Sequence, residues 1–328
     1  MLKQPTGLHV SLVTGRHAIP TERDRMRTVT DLAHVAGDGR PAFDRIRGPP
    51  FFEQPQTLNS LRISQPLFKE EQMSSFYRTE SIELLHGDSM PLLTTLKPNS
   101  FDAIITDPPY CSGGTTAGER RRAPEEKYAQ NGNACGRPSF GGDLKDQRSF
   151  TWWCMSWLSL CRGLLHEGGY CLVFTDWRQL PAVTDAFQAA DLTWRGIIAW
   201  DKGNAARAPH KGYLRHQCEY VVWGTRGPCP AATHAGPFPG CYSIPVNRRD
   251  KHHLTGKPTD LMRQLVQIVR PGGRILDPFA GSGTTLVAAQ AEGLQAVGIE
   301  REASYCEITK SRLRTKPTQD PHSRILTA

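Results

Sequence analysis

Four consecutive residues, Asp107-Pro108-Pro109-Tyr110, combine a carboxylate, two rings that lock the backbone and an aromatic face. They follow Phe101 to Thr106 (FDAIIT), a short apolar run that reads as a buried parallel strand. The tetrapeptide therefore sits where a strand ends and its loop begins, the place where open α/β sheets gather their chemistry. Two prolines fix φ at about −65° and remove two backbone N–H donors. The turn then presents acceptors only, the carboxylate of Asp107 and the nearby carbonyls. Such a turn suits a guest that donates two hydrogens, as an exocyclic amino group does, and Tyr110 adds a face on which a planar ring can stack. Read alone, the same four residues also serve as an ordinary strand-ending turn over a buried tyrosine.

A second stretch narrows the choice. Arg274 to Ala289 (RILDPFAGSGTTLVAA) reads as strand, glycine loop and helix, and about 20 residues further on Ala296 to Glu300 reads as a strand ending in an acid. This is the arrangement of a nucleoside pocket: Gly281 and Gly283 let the backbone approach a ligand, and Glu300 can accept from ribose hydroxyls. The loop lacks the third glycine of a dinucleotide fingerprint and the Gly-Lys-Ser/Thr ending of a P-loop, which argues against NAD and against ATP hydrolysis.

In this order and spacing the two motifs resemble the S-adenosylmethionine-dependent amino DNA methyltransferases, and the order, tetrapeptide first and glycine loop last, is similar to their permuted β group. The resemblance covers about residues 80 to 315. It implies a class I methyltransferase-like α/β fold, with a mostly parallel seven-stranded sheet, one antiparallel strand and helices on both faces. It implies S-adenosyl-L-methionine as cofactor and Asp107, Pro108, Pro109 and Tyr110 as catalytic residues. The cofactor would be held by Asp277, Phe279, Gly281, Ser282, Gly283 and Thr284 of the loop, by Glu300, and by Asp88 beside the adenine. Asp88 is equally suited to cap a helix starting near Met90. The resemblance also places Lys257, Pro258 and Thr259 near the methionine carboxylate, for which a lysine at a helix N-terminus is a reasonable receiver.

The substrate so implied is the N6 amine of an adenine flipped out of double-stranded DNA, with Asp rather than Ser at the turn favouring adenine over the N4 amine of cytosine. Transfer to RNA or to a protein glutamine is a further alternative, and so is a DNA-binding protein with an inactive cofactor fold. Intact Asp107, Tyr110, Gly281, Gly283 and Glu300 argue against the last.

The elements that must position these residues follow from periodicity. Sheet runs fall near 82–86, 101–106, 170–175, 195–200, 219–223, 274–277 and 295–299. By the resemblance they assemble with the first beside the last, then the sixth, second, third, fifth and fourth. Helical patterns run from Phe150 to Leu165, stopped by Gly168-Gly169, then over 181–190, 261–269 and 304–314. The tryptophans of the first read as packing residues. The tripeptide Pro228-Cys229-Pro230 reads as a loop turn.

The chain of 328 residues carries a formal net charge of +8, ample length for one α/β core with appendages. Residues 202–257 hold nine Lys or Arg against two acids, Glu219 and Asp250. That local excess suits a surface that follows phosphates, and Arg207, Lys211, Arg215, Arg248, Arg249 and Lys251 are the candidate DNA contacts. Residues 1–76, with seven prolines and little periodicity, read as an extended or partly disordered arm, 77–315 as the methyltransferase domain with a long polar loop over 111–149, and 316–328 as a loose tail. Nine cysteines without a Cys-x-x-Cys pair suggest reduced thiols and no metal site. No apolar run approaches 18 residues and the start lacks a signal-peptide core. A soluble, cytoplasmic, nucleoid-associated protein is therefore expected, with no membrane partner. Nothing in the residues decides between monomer and homodimer, or for a restriction partner.

Overall fold

Strands and helices alternate along most of the chain, and each central strand is apolar on both faces. Residues 75–112, 144–204, 206, 208, 210–231, 234–246 and 256–315 are described by a computed structural model. The 113–143 part of the long loop, nearly all of the 1–76 arm and the 316–328 tail lie outside the described residues. The strands are β1 (Tyr77–Arg78), β2 (Ile82–His86), β3 (Phe101–Thr106), β4 (Leu165–Thr175), β5 (Thr193–Asp201), β6 (Cys218–Thr225), β7 (Cys241–Ser243), β8 (Arg274–Asp277) and β9 (Gln295–Glu300). The helices are α1 (Ser89–Thr95), α2 (Gln147–Leu164), α3 (Leu180–Ala189), α4 (Thr259–Val266), α5 (Thr284–Ala291) and α6 (Ala303–Arg314).

The strands form one sheet in the order β1-β2-β9-β8-β3-β4-β6-β5-β7. The seven runs read from the sequence occupy its centre in the expected order. Two short edge strands extend it to nine, and at two and three residues they are too short to show a period. The pairings from β2 through β4 are parallel. β6 runs antiparallel to both of its neighbours, and β1 is antiparallel to β2. Helices cover both faces: residues of α4, α5 and α6 pack with one apolar cluster, those of α1, α2 and α3 with the other. Double coverage explains the unbroken apolar runs, since Ala103, Ile104 and Ile105 are all fully buried.

Three boundaries differ from the sequence reading. The long polar loop does not reach Ser149, because Asp146 caps α2 by accepting from Ser149 N at 2.9 Å, so the helix begins at Gln147. Gly168-Gly169 is not a helix stop. The helix ends at Leu164, and the glycines form a bulge inside β4 where the pairing with β3 shifts register between Phe101 and Ala103. Gly168 takes a φ of +76° there and donates to Arg226 O at 2.7 Å. Finally, α4 stops at Val266, and Ile268 and Val269 close it with tighter turns onto Leu265 O and Val266 O. Among the described residues no helix is long and apolar enough to cross a membrane.

Gly283 shows why the glycine loop needs its second glycine. Its φ is +77°, and a Cβ there would lie 2.4 Å from Thr309 Cγ2 on α6. The close approach is to the chain's own helix, so the residue sets how tightly the loop packs on α6. Gly283→Ala is expected to destabilise the fold by at least the roughly 1–2 kcal/mol of a left-handed non-glycine backbone, with overlap adding to it. A urea midpoint matching wild type would show that the loop can move away from α6.

Candidate active site

Parallel pairing of β3 with β8 places Ala103 opposite Ile275 and Ile104 opposite Leu276, so the two motif-bearing strand ends finish side by side. A direct bond joins them: Thr106 Oγ1 donates to Asp277 Oδ1 at 2.6 Å. The same oxygen accepts from Phe279 N at 3.1 Å. Asp277 is only 2 % exposed, and burial pushes its carboxyl up to about 6. One of its oxygens is thus committed to tying the tetrapeptide's strand to the glycine loop.

The tetrapeptide opens onto a charge cluster centred on a buried lysine. Asp107 Oδ2 accepts from Lys257 Nζ at 2.6 Å and Asp107 Oδ1 from the Tyr110 hydroxyl at 2.7 Å. Lys257 also meets Glu219 Oε2 at 3.3 Å, and Glu219 Oε1 accepts from Lys202 Nζ at 3.1 Å. The Lys257 ammonium lies 5.1 Å from the centroid of the Tyr110 ring and 5.3 Å from that of Phe174. Its side chain is 5 % exposed, whereas that of Asp107 keeps 25 %, so the carboxylate is the member of the pair a ligand can reach.

The charges in this cluster define one another. Burial works against the Lys257 ammonium, but Asp107 and Glu219 together hold its pKa above the ordinary lysine value. Burial likewise opposes the Glu219 carboxylate, and Lys257 and Lys202 outweigh it, leaving the group below its ordinary value. Asp107 ends above the ordinary carboxylate value, because burial exceeds the opposing pull of Lys257. Tyr110 is held well up by burial and by the charge of Asp107, so it stays a phenol and a donor.

The glycine loop is built around Glu300 and Arg312. Glu300 Oε2 accepts from Gly281 N at 2.7 Å and Oε1 from Glu302 N at 2.7 Å. Each carboxylate oxygen retains a further acceptor position, which suits a ligand presenting two adjacent hydroxyls. Arg312 of α6 donates to Ser282 O at 2.7 Å, to Thr284 Oγ1 at 3.0 Å and to Thr259 Oγ1 at 3.0 Å. Ser282, Thr284 and Thr259, read from the sequence as ligand contacts, therefore share one internal partner that fixes the loop against the start of α4. Pro258 is buried at the N-cap position of that helix. Phe279 packs its ring 5.3 Å from Trp153 and 5.2 Å from Trp157. Asp88 caps α1, accepting from Met90 N at 2.9 Å, and lies just past the strand end where His86 pairs with Glu300.

Lys257 is held by partners inside the protein. Its ammonium faces the tetrapeptide and pairs with Asp107, whereas the resemblance puts it beside a cofactor carboxylate. Two further bases of the 202–257 segment are also occupied inside the fold: Lys202 on Glu219, and Arg226 on Leu165 O at 2.6 Å. The surface excess of positive charge in that segment is correspondingly smaller than its composition suggests. Lys211 and Arg215 are exposed, and Arg215 donates to Ala206 O at 2.8 Å. Arg207, Arg248, Arg249 and Lys251 lie outside the described residues.

Glu219, Lys202 and Arg312 escaped the sequence reading. The signal for Glu219 was a lone acid in a strongly basic stretch, at the start of a strand next to β4. Arg312 lies in a closing helix with no motif of its own.

A family model described as DNA methylase matches residues 101–311. The chain is 28% identical over 230 residues to the putative methylase YubD of Escherichia coli (strain K12), an alignment covering 70% of this chain and 88% of that protein. It is 25% identical over 259 residues to the type II methyltransferase M2.DpnII of Streptococcus pneumoniae, covering 74% and 92%. Among solved structures, the cytosine-N4-specific PvuII DNA methyltransferase superposes with a TM-score of 0.57 at 14% identity, over 75% of this chain and 91% of the other. The M1.HpyAVI–SAM complex superposes with a TM-score of 0.52 at 20% identity, over 71% and 100%. At these identities the superpositions speak for the fold.

Burial raises the Glu300 carboxyl to about 7 from its ordinary 4.5. A carboxyl raised on folding holds its proton more tightly in the folded chain. Its contribution to stability is therefore complete below about 4.5 and lost as pH rises through about 7. Glu300→Gln should flatten the fall in urea midpoint between about pH 5 and 8, and superimposable profiles for variant and wild type would show that the Glu300 carboxylate is not desolvated.

Proposed function

The chain belongs to the DNA methylase family, and on that premise we propose that it transfers a methyl group from S-adenosylmethionine to the N6 amine of adenine in double-stranded DNA. The observation that carries the proposal is the 2.6 Å bond from Thr106 to Asp277, which holds an acceptor-only turn and a glycine loop at the ends of adjacent parallel strands. A methyl donor on one strand end and a target base on the other are then within reach of each other, and approach and orientation supply much of the rate.

The family uses S-adenosylmethionine, and the residues present fit it. Glu300 offers acceptor positions for two ribose hydroxyls, and Gly281 N is fixed by its bond to that carboxylate. When bound, the cofactor supplies a methyl group activated on a sulfonium. Asp88, Phe279, Ser282, Gly283 and Thr284 form the surrounding loop and helix starts.

The protein's own contribution is to the amine. An amino nitrogen conjugated to an aromatic ring is a weak nucleophile because its lone pair is delocalised. Hydrogen bonds accepted from it by the Asp107 carboxylate and by the Pro108 carbonyl favour a geometry that frees this lone pair. Tyr110 and Lys257 hold the Asp107 carboxylate in place from either oxygen. Because burial lifts the Asp107 pKa above that of an exposed carboxylate, the group is better matched to taking up the amine proton as the nitrogen becomes positively charged. Extraction of the base from the duplex is required for contact with Asp107, at a cost of a few kcal/mol, and the base would stack on the Tyr110 ring.

Adenine is favoured by Asp in the first position of the turn. Cytosine N4 is the second reading, since its amine makes the same demands on Asp107 and a cytosine-N4-specific enzyme shares the fold. Supplying labelled S-adenosylmethionine with unmethylated DNA, digesting to nucleosides and identifying the labelled base decides between them, and label in neither base removes the proposal. Asp107→Ala should lower transfer by orders of magnitude while calorimetric titration gives wild-type cofactor affinity. A parallel loss of cofactor binding would place Asp107 in the cofactor pocket.

A further inference from the structure

Beyond the tetrapeptide the chain runs through Cys111 to Ser112, and Ser112 is fastened to the loop that follows β4. Its hydroxyl donates to Asp176 Oδ2, and its carbonyl accepts from Arg178 at 2.9 Å. Asp176 Oδ1 stiffens this loop by accepting from Arg178 N at 3.1 Å and Gln179 N at 3.0 Å. Between Asp176 and Arg178 stands Trp177, 49 % exposed. Its ring is stacked on His216, with centroids 6.1 Å apart and planes 6° from parallel. The row continues: His216 meets Tyr213 edge-on at 5.5 Å, and Tyr213 meets His210 at 5.5 Å. The Arg178 guanidinium lies 5.0 Å from the Trp177 ring. Tyr213 is 43 % exposed, and Leu214 beside it is 87 % exposed.

Exposing a tryptophan, a tyrosine and a leucine together in one patch forgoes burial that each would gain in a core. The aromatic residues are planar, interleaved with positive charge, and anchored to the same turn that would receive a flipped base. Nucleotides of a single strand match that chemistry, because each has a base with a face to stack and a phosphate to neutralise. A duplex that has lost one base from its stack also leaves neighbouring bases without a partner, and an exposed leucine is a side chain suited to enter such a step.

We propose that the Trp177–His216–Tyr213–His210 row is a stacking platform for unpaired nucleobases of the DNA strand next to the target. The proposal rests on the DNA methyl-transfer reading and adds a binding site to it. The row lies outside the Asp107 cluster and the glycine loop, so its loss leaves cofactor binding intact.

Stacking binds without releasing counterions, whereas every phosphate that a variant no longer neutralises makes the slope of log K against log salt shallower by about 0.7 for single strands. The probe is a random-sequence single-stranded oligodeoxynucleotide titrated into the full chain at several salt concentrations. Trp177→Ala should weaken binding by about five- to hundredfold with an unchanged salt slope. Trp177→Phe should recover most of the loss, and cofactor affinity should match wild type in both, which also reports that they fold. The platform is overturned by wild-type chain with no affinity for the oligonucleotide, by Trp177→Ala binding as wild type, by a shallower slope, or by Phe serving no better than Ala. Methylation of duplex DNA by wild-type chain, measured alongside, keeps the two readings apart. Transfer without any effect of Trp177→Ala removes the platform alone, and a working platform without transfer removes only the methyltransferase reading.

Discussion

The Lys257 ammonium, 5 % exposed and 2.6 Å from Asp107, is the interaction on which the arrangement of this site depends. A lysine so deeply buried is retained as a cation only where carboxylates compensate its desolvation, and Asp107 and Glu219 do so together. The requirement works in both directions. Asp107 and Glu219 come from the end of β3 and the start of β6, two strands separated in the sheet by β4, and the cation between them offsets the repulsion of two partly buried carboxylates. The segment entering α4 is pinned over the tetrapeptide by the same charge. Removing one member leaves the others uncompensated, at a cost well beyond that of a surface ion pair.

A second constraint complements this one on the other side of the turn. Thr106 and Asp277 join the end of β3 to the end of β8, while Glu300 and Arg312 hold the glycine loop from β9 and α6. On the proposed reading, donor and target sites are thereby built on strand ends whose spacing is set by sheet geometry. In a direct transfer this spacing is the quantity that matters, because small misplacements of reacting atoms are costly.

What could be read from the sequence follows from how locally each feature is encoded. Asp107 to Tyr110 and Gly281 to Gly283 are contiguous, so the chemistry proposed for them can be read from their residue types before any folding is considered. Buried runs such as Phe101 to Thr106 identify the central strands, and the resemblance supplied their order. The pairing of Lys257 with Asp107 has no local signature, because the two partners are 150 residues apart and meet only when α4 docks. Glu219, 109 residues from Tyr110, was counted as a minor acid in a basic surface for the same reason. Gly168-Gly169 misled because a bulge and a helix stop draw on the same positive φ, and only the pairing of β4 with β3 distinguishes them. Trp177 and His216 carry no shared motif, and their stacking arises from the meeting of two loops.

Lys257 separates this account from its nearest competitor, in which the ammonium receives the cofactor's carboxylate. The most direct test is the cofactor dissociation constant and the methyl-transfer rate of Lys257→Met, measured on one preparation. If Lys257 acts through Asp107, transfer falls by about two orders of magnitude or more, while the cofactor dissociation constant stays within about threefold of wild type, less than one hydrogen bond is worth. A dissociation constant raised tenfold or more, with transfer restored at saturating cofactor, would contradict the account and return Lys257 to the cofactor pocket.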